Sequence, residues 1–136
     1  ECQVVLPLLE TDLVEIMLAC MEGRLNELDI KWKHLSALCV VLASGGYPTS
    51  YKKNLPITGI DEAEKIKDVT IFHAGTSIAD DRIVTSGGRV LNVVACGDNI
   101  PQTKKLSYEA ASLINFEAVH YRKDIGDRAI EAARVK

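Results

Sequence analysis

Apolar residues between Leu9 and Met21 recur three or four positions apart, which is the spacing of one stripe on an amphipathic helix. Asp12 and Glu15 suit the start of this helix as a capping box, and Gly23 suits its end as a left-handed cap. The more polar residues 24–33 indicate a short turn or a second helix. The pattern therefore predicts that the chain begins with a helical segment.

Shorter apolar runs follow and predict strands. Residues 37–43 are almost all apolar, which favours a strand that is buried on both faces. Further strands are predicted at 69–73, 83–85, 89–96 and, as a short strand, 119–122. Ser86-Gly87-Gly88 is predicted to form the turn of a hairpin that joins 83–85 to 89–96.

Helices are predicted between and after these strands. They are expected at 61–67, from Pro101 to about Asn115, and at 127–133. Short strands mixed with helices in this order indicate an α+β fold, with a mostly antiparallel sheet and helices packed on one face.

Composition narrows the class of protein. With 136 residues, 47% of them apolar and 26% charged, the chain has the balance of a globular domain. No apolar run approaches the roughly 20 residues that span a bilayer, so no membrane partner is expected. The net charge of -3 provides no general attraction for polyanions, so nucleic acid is not an expected partner either.

Cysteine and histidine spacing points away from disulfides and metals. The four cysteines lie far apart, without a Cys-x-x-Cys pair, and are predicted to be reduced, buried, small apolar residues of a cytoplasmic protein. His34, His73 and His120 lack the spacing of a zinc site, so no metal ligands are expected. Trp32, Met17 and Met21 are most simply explained by packing in the core or at an interface.

Three short segments carry residues that suit an anion. His73-Ala74-Gly75-Thr76 follows a predicted strand. It is either a turn with a structural histidine or a ligand loop in which Gly75 lets backbone N-H groups approach an anion while Thr76 donates a hydroxyl. Gly87-Gly88-Arg89 is either a hairpin turn with a solvated arginine or a site where the glycines clear space and Arg89 binds a phosphate or carboxylate.

The third segment contains Arg122 and Lys123 just before a predicted helix start, where free N-H groups and the helix dipole favour an anion. Asp124 and Asp127 could instead pair with these two cations and with Arg128. The residues alone leave open both phosphate binding and a self-neutralised surface cluster.

Taken in order, the motifs resemble one enzyme family. Ala-Ser-Gly-Gly-Tyr-Pro at 43–48, His-Ala-Gly-Thr at 73–76, the segment 85–91 and Tyr-Arg-Lys-Asp-Ile-Gly at 121–126 resemble the C-terminal part of phosphoribosylamine-glycine ligases of the ATP-grasp superfamily. Glu1-Cys2-Gln3 resembles the end of the family signature Arg-Phe-Gly-Asp-Pro-Glu-x-Gln. Where many relatives have Gly-Asp after Tyr-Pro, this chain has Thr49-Ser50.

The resemblance implies a reaction and a division of the chain. These ligases join glycine to 5-phosphoribosylamine with ATP, through a glycyl phosphate, in de novo purine biosynthesis. ATP and Mg²⁺ or Mn²⁺ would be bound by residues upstream of Glu1. Residues 1–34 would be the helical end of the ATP-grasp region and contact its lobes, and residues 35–136 would be the substrate-side domain with its rudimentary barrel.

The resemblance also implies a set of substrate-binding residues. Arg89, Arg122 and Lys123 would hold the phosphate or the developing acyl phosphate. The same cleft would be lined by His73, Gly75, Thr76, Gly87 and Gly88. No catalytic residue is assigned, and the chain by itself is expected to be inactive. The alternative is a non-catalytic module that binds a small anion or a partner on the same scaffold.

Overall fold

The computed structural model describes residues 1–134 and contains two antiparallel sheets. The strands are β1 (Ser36–Ala43), β2 (Val69–His73), β3 (Thr76–Ala79), β4 (Arg82–Thr85) and β5 (Arg89–Gly97). The helices are α1 (Cys2–Val5), α2 (Leu13–Met21), α3 (Ile60–Glu64), α4 (Ile100–Leu113) and α5 (Asp127–Arg134), with 3-10 turns at Leu6–Leu8 and Leu25–Glu27. The predicted α+β class is confirmed.

The larger sheet is built around β5, which lies between β1 and β2. On one face, alternate apolar residues such as Leu38, Val40 and Val93 are buried against α4, where Ala110 and Ala111 allow close approach. Helix α3 extends this layer. Helices therefore cover this face of the sheet, as predicted.

The opposite face of the sheet is partly covered by the first segment of the chain. Ile71 belongs to the core, so its neighbours Thr70 and Phe72 point to the other side of β2. There they line a groove together with Leu6 and Pro7 of the first 3-10 turn. This cover is partial, and β1 is accordingly fully buried on one face and half-buried on the other.

The predicted hairpin between 83–85 and 89–96 is wrong. Strand β4 pairs with β3, a strand that the sequence pattern did not reveal, with Ala79 opposite Arg82. The turn is formed by Asp80 and Asp81, both at positive φ, 48° and 57°. Asp tolerates this region because its short side chain can bond its own backbone, and two such residues suit a tight hairpin. Ser86-Gly87-Gly88 instead connects the two sheets.

Some predicted boundaries hold and others shift. Helix α2 begins as predicted after Asp12, whose side chain accepts a hydrogen bond of 2.7 Å from the Val14 amide, and Gly23 follows its end at a positive φ of 68°. Leu9, at the start of the apolar spacing, lies before the helix. The predicted strand at 119–122 is reduced to a single bridge between His120 and Ala43. Helices α3 and α4 end at Glu64 and Leu113, a few residues before the predicted ends.

The apolar stripe of α2 does not face the core. Within the stripe, Leu13 and Ile16 are half-buried, whereas Met17 is 54% and Met21 84% exposed; the one buried residue of this helix is Ala19. Trp32 and Met17 are about half exposed too, so core packing is wrong for Met17, Met21 and Trp32, and an interface remains the prediction for them. None of the helices in the described part of the chain has the length and apolar character needed to cross a membrane.

All four cysteines carry free thiols, which agrees with the prediction of reduced side chains. The prediction that they are buried is wrong for Cys2 and Cys20, which are exposed because α1 and α2 lie at the surface. Cys39 and Cys96 are half-buried in the sheet, and burial raises the pKa of both thiols because it disfavours the thiolate.

We expect the four thiols to react at two different rates. At about pH 8 iodoacetamide should modify Cys2 and Cys20 first, because Cys39 and Cys96 are less accessible and hold less thiolate. Raising the pH should accelerate the slower pair, since it approaches their raised pKa. Peptide mass spectrometry over time measures the rates, and equal labelling of Cys39 and Cys20 would contradict this structure.

Candidate functional site

The motif segments meet at one end of the larger sheet. His73 ends β2 opposite Leu91 of β5. Arg89 begins β5 opposite Ala43, the last residue of β1. On its other side Ala43 exchanges backbone hydrogen bonds of 2.9 and 3.0 Å with His120. Three of the motif segments, at 43–48, 73–76 and 85–91, therefore lie at this end of the sheet, and the fourth, at 121–126, begins there.

Two of the segments touch through glycine backbone. The amides of Ser86 and Gly87 donate to the Gly75 carbonyl at 2.8 and 3.1 Å, and the Gly75 amide donates to the Val90 carbonyl at 3.1 Å. A Cβ atom at Gly75 would lie 2.5 Å from the Arg89 carbonyl oxygen and 2.7 Å from the Gly87 Cα atom. Glycine at 75 is thus required by the close approach of two backbones.

Gly88 is also explained by packing. A Cβ atom at Gly88 would overlap the ring of Tyr47, so the space beside this residue is filled by a side chain of the same protein. Ser44 strengthens this contact, since its amide donates to the Gly88 carbonyl at 2.8 Å and its hydroxyl to the Gly87 carbonyl at 3.0 Å. These contacts join residues about 40 positions apart, so local sequence patterns do not reveal them.

His73 and Thr76 interact with each other across the loop between β2 and β3. The His73 Nδ1 atom lies 2.9 Å from the Thr76 hydroxyl oxygen. The His73 side chain is exposed and Thr76 is half-buried at the start of β3. The loop therefore presents an imidazole and a hydroxyl, already oriented by a hydrogen bond, beside the glycine contact.

Arg122 is held by its own neighbour. Its guanidinium donates two hydrogen bonds to the Asp124 carboxylate, at 2.9 and 2.6 Å. These hydrogen bonds raise the pKa of Arg122 and lower that of Asp124. Both side chains are exposed. Of the two readings of this cluster, local neutralisation holds for Arg122.

Asp127 does not complete that neutralisation, because it pairs with Lys104 of α4. Within residues 1–134, Arg89, Lys123 and Arg128 form no ion pair with a carboxylate. Arg128 and Arg122 line a cavity of about 230 Å³ at the start of α5. The segment therefore keeps two unpaired cations at a helix N-terminus.

The two basic segments approach from opposite sides of β1. Arg89 and His120 both pair with Ala43, so their backbones lie about two strand spacings, or roughly 10 Å, apart. Arg122 and Lys123 follow His120 by two and three residues. The segment then leads away from Ala43, since a Cβ atom added to Gly126 would lie 2.6 Å from the Leu38 Cδ1 atom. The cavity that Arg122 lines is formed with Asp124, Ile125, Gly126 and Arg128, and Arg89 is not part of it.

The residues present do not suit a catalytic metal. Among the described residues, no three His, Cys, Asp or Glu side chains come together as a metal-binding group. The sequence also contains neither Gly-x-x-x-x-Gly-Lys-Ser/Thr nor Gly-x-Gly-x-x-Gly. We therefore derive no step through a metal ion or nucleotide from this chain.

Comparisons with known proteins identify the family of the chain. A family model described as "Phosphoribosylglycinamide synthetase, C domain" matches residues 37–128. The chain is 51% identical over 131 residues to the bifunctional purine biosynthetic protein purD of Dictyostelium discoideum, covering 96% of this chain and 16% of that protein. It is 46% identical to the phosphoribosylamine-glycine ligase of Caldanaerobacter subterraneus, covering 92% of this chain and 29% of the ligase.

A solved structure extends the comparison to the fold. The phosphoribosylamine-glycine ligase of Thermotoga maritima matches with a TM-score of 0.68 and 28% identity, over 90% of this chain and 29% of that one. The chain thus spans less than a third of the length of these relatives. It belongs to the phosphoribosylglycinamide synthetase family, in which it corresponds to the C-terminal part of the ligase.

Proposed function

We propose that this chain is the substrate-side part of an ATP-dependent ligase that joins glycine to 5-phosphoribosylamine in de novo purine biosynthesis. The observation that carries the proposal is that three motif segments and the start of the fourth meet at one end of the larger sheet. Family membership supplies the reaction, and the unpaired cations at that edge supply a reason for the phosphorylated substrate to bind there.

In this proposal Arg89 and Lys123 bind the phosphate group of the ribosylamine, or the acyl phosphate as it develops. Arg122 joins them when the substrate anion replaces Asp124, a carboxylate that carries less charge than a phosphate ester at neutral pH. His73 and Thr76 line the cleft with an imidazole and a hydroxyl. Gly75, Gly87 and Gly88 contribute through backbone shape, which brings these groups together.

The remaining parts of the reaction belong to the rest of such a ligase. We propose that ATP and Mg²⁺ or Mn²⁺ are bound by residues that precede Glu1 in the family pattern. We also propose that the ligase acts in the cytoplasm. Residues 1–34 would then be the helical end of the ATP-grasp region, and the exposed stripe of α2 would pack against its lobes. Residues 35–136 would form the substrate-side domain, of which residues 135–136 lie outside the described part.

A ligase assay tests the proposed function. This chain is joined to the preceding part of the Caldanaerobacter subterraneus ligase in place of that enzyme's own C-terminal segment. The chimeric ligase should release ADP only when glycine and phosphoribosylamine are both present, and the chain alone should release none. The matched control rejoins the relative's own segment at the same junction. An active control beside a folded, inactive chimera would contradict the ligase and favour a non-catalytic module that binds anions or partners.

Substitutions in the active chimera test the residues. Arg89→Ala and Lys123→Ala should each raise the KM for phosphoribosylamine by the equivalent of about 1.5–3 kcal/mol, the scale of a charge-assisted hydrogen bond. The KM for ATP should change little. Arg82→Ala, which removes an exposed arginine from the start of β4, is the control for loss of charge. Unchanged kinetics in both test variants would show that Arg89 and Lys123 are solvated surface residues.

A further inference from the structure

The loop at residues 44–51 is wedged between the two basic segments. At one side it reaches Gly87 and Gly88 through the hydrogen bonds of Ser44. At the other side Gly45 packs on Ala118, whose Cβ atom would lie 2.6 Å from a Cβ atom added to that glycine. The loop therefore sets the spacing between the strand that begins at Arg89 and the segment that leads to Arg122.

Within this loop, the Tyr47 ring contacts the second residue of the glycine pair. It lies against the Cα atom of Gly88, the residue directly before Arg89. The Tyr51 ring packs beside the Tyr47 ring, with 6.2 Å between the ring centroids. Tyr47 is still 38% exposed, so the ring is not held in place by burial in the core. The ring therefore packs on the Gly88 backbone at the surface of the protein.

The ring, rather than the hydroxyl, makes this contact. In the described part of the chain, the Tyr47 hydroxyl forms no hydrogen bond with another protein group. The Tyr47 amide, in contrast, donates to the Ser44 carbonyl at 3.1 Å and fixes the turn that directs the ring. A phenylalanine at this position would keep the ring and its contact with Gly88.

We infer that Tyr47 is a positioning residue for Arg89: by covering Gly88, its ring fixes the backbone from which the Arg89 side chain extends. Glycine has the widest choice of backbone conformations, so two glycines before Arg89 would leave it mobile unless another group restrained them. Ser44 restrains the carbonyl groups and Tyr47 restrains the Cα atom. The consequence for substrate binding rests on the proposed function, whereas the restraint itself does not.

Backbone dynamics of the full 136-residue chain test the restraint directly. In Tyr47→Ala the order parameters of the Gly88 and Arg89 amides should fall, because nothing covers Gly88. In Tyr47→Phe they should match those of the unsubstituted chain. Lys52→Ala is the control, since it removes an ion pair with Glu117 from the neighbouring part of the chain without touching Gly88. Unchanged Gly88 and Arg89 amides in Tyr47→Ala would overturn the inference.

A double substitution tests the same contact when Tyr47→Ala perturbs folding more widely. Gly88→Ala should displace the ring and shift the Arg89 amide resonance strongly in the presence of Tyr47. In the Tyr47→Ala background the added methyl group has room, so the same substitution should shift the resonance little. Equal shifts in both backgrounds would show that the two residues act independently and would overturn the inference.

Kinetics of the chimeric ligase then test the effect on the site. Tyr47→Ala should raise the KM for phosphoribosylamine about tenfold and change kcat less, since a displaced Arg89 binds the phosphate poorly. Tyr47→Phe should restore the KM. An unchanged KM in Tyr47→Ala, in an enzyme whose KM does respond to Arg89→Ala, would overturn the inference while leaving the proposed function intact. A third outcome is that neither Tyr47→Ala nor Arg89→Ala changes the KM, while the amide dynamics still respond to Tyr47→Ala. That outcome would show that Arg89 does not bind the substrate, and it would leave the backbone restraint by Tyr47 supported.

Discussion

The close approach of two backbones at Gly75 and Gly87 is the constraint on which the arrangement of the candidate site depends. The approach leaves no room for a side chain at Gly75, and the Gly75 carbonyl accepts two amide hydrogen bonds from the facing segment. It joins the loop after β2 to the start of β5, although the two are separated by the whole β3-β4 hairpin. The β2-β5 pairing at His73 and Leu91 already holds the two segments in one sheet, and the glycine contact fixes how closely the loop after β2 approaches the residues before Arg89.

The three cations of the candidate site differ in whether a carboxylate pairs with them. Arg122 is occupied by Asp124, whose lowered pKa keeps the pair ionised until the pH falls below the usual range of an aspartate. Above that range the pair is fully formed. Arg89 and Lys123 pair with no carboxylate in residues 1–134. Among the described residues, two of these three cations thus lack a carboxylate partner and the third, Arg122, has one.

Local signals were sufficient for some elements of the fold. The β2 strand is found at the predicted residues 69–73, because a short apolar run is bounded on both sides by turn residues. The Gly87-Gly88 pair led to the wrong prediction of a hairpin at this position, because two glycines suit a hairpin turn as well as a close contact between two backbones. The Asp80-Asp81 pair was the available signal for the true hairpin, because aspartate is one of the residues that tolerate positive φ.

Long-range contacts were not accessible from the sequence. The periodicity of α2 correctly indicated an apolar face, but periodicity does not say what covers that face, and here it is exposed. The order of the motifs pointed to the segments of the candidate site. It could not predict the contact of the Tyr47 ring with Gly88, because these residues are more than 40 positions apart. The choice of Arg122 between Asp124 and a ligand likewise depends on side-chain geometry.

Gly75→Ala, followed by denaturant unfolding and by the backbone amide spectrum, is the most direct measurement of the central claim. The φ angle of Gly75 is not positive, so alanine brings no backbone strain of its own, and its effect reports the crossing alone. We predict a loss of about 1–3 kcal/mol of unfolding free energy, the usual scale of overpacking, together with shifts at Gly87 and Arg89. A stability within about 0.5 kcal/mol of the unsubstituted chain and unshifted amides would contradict the account.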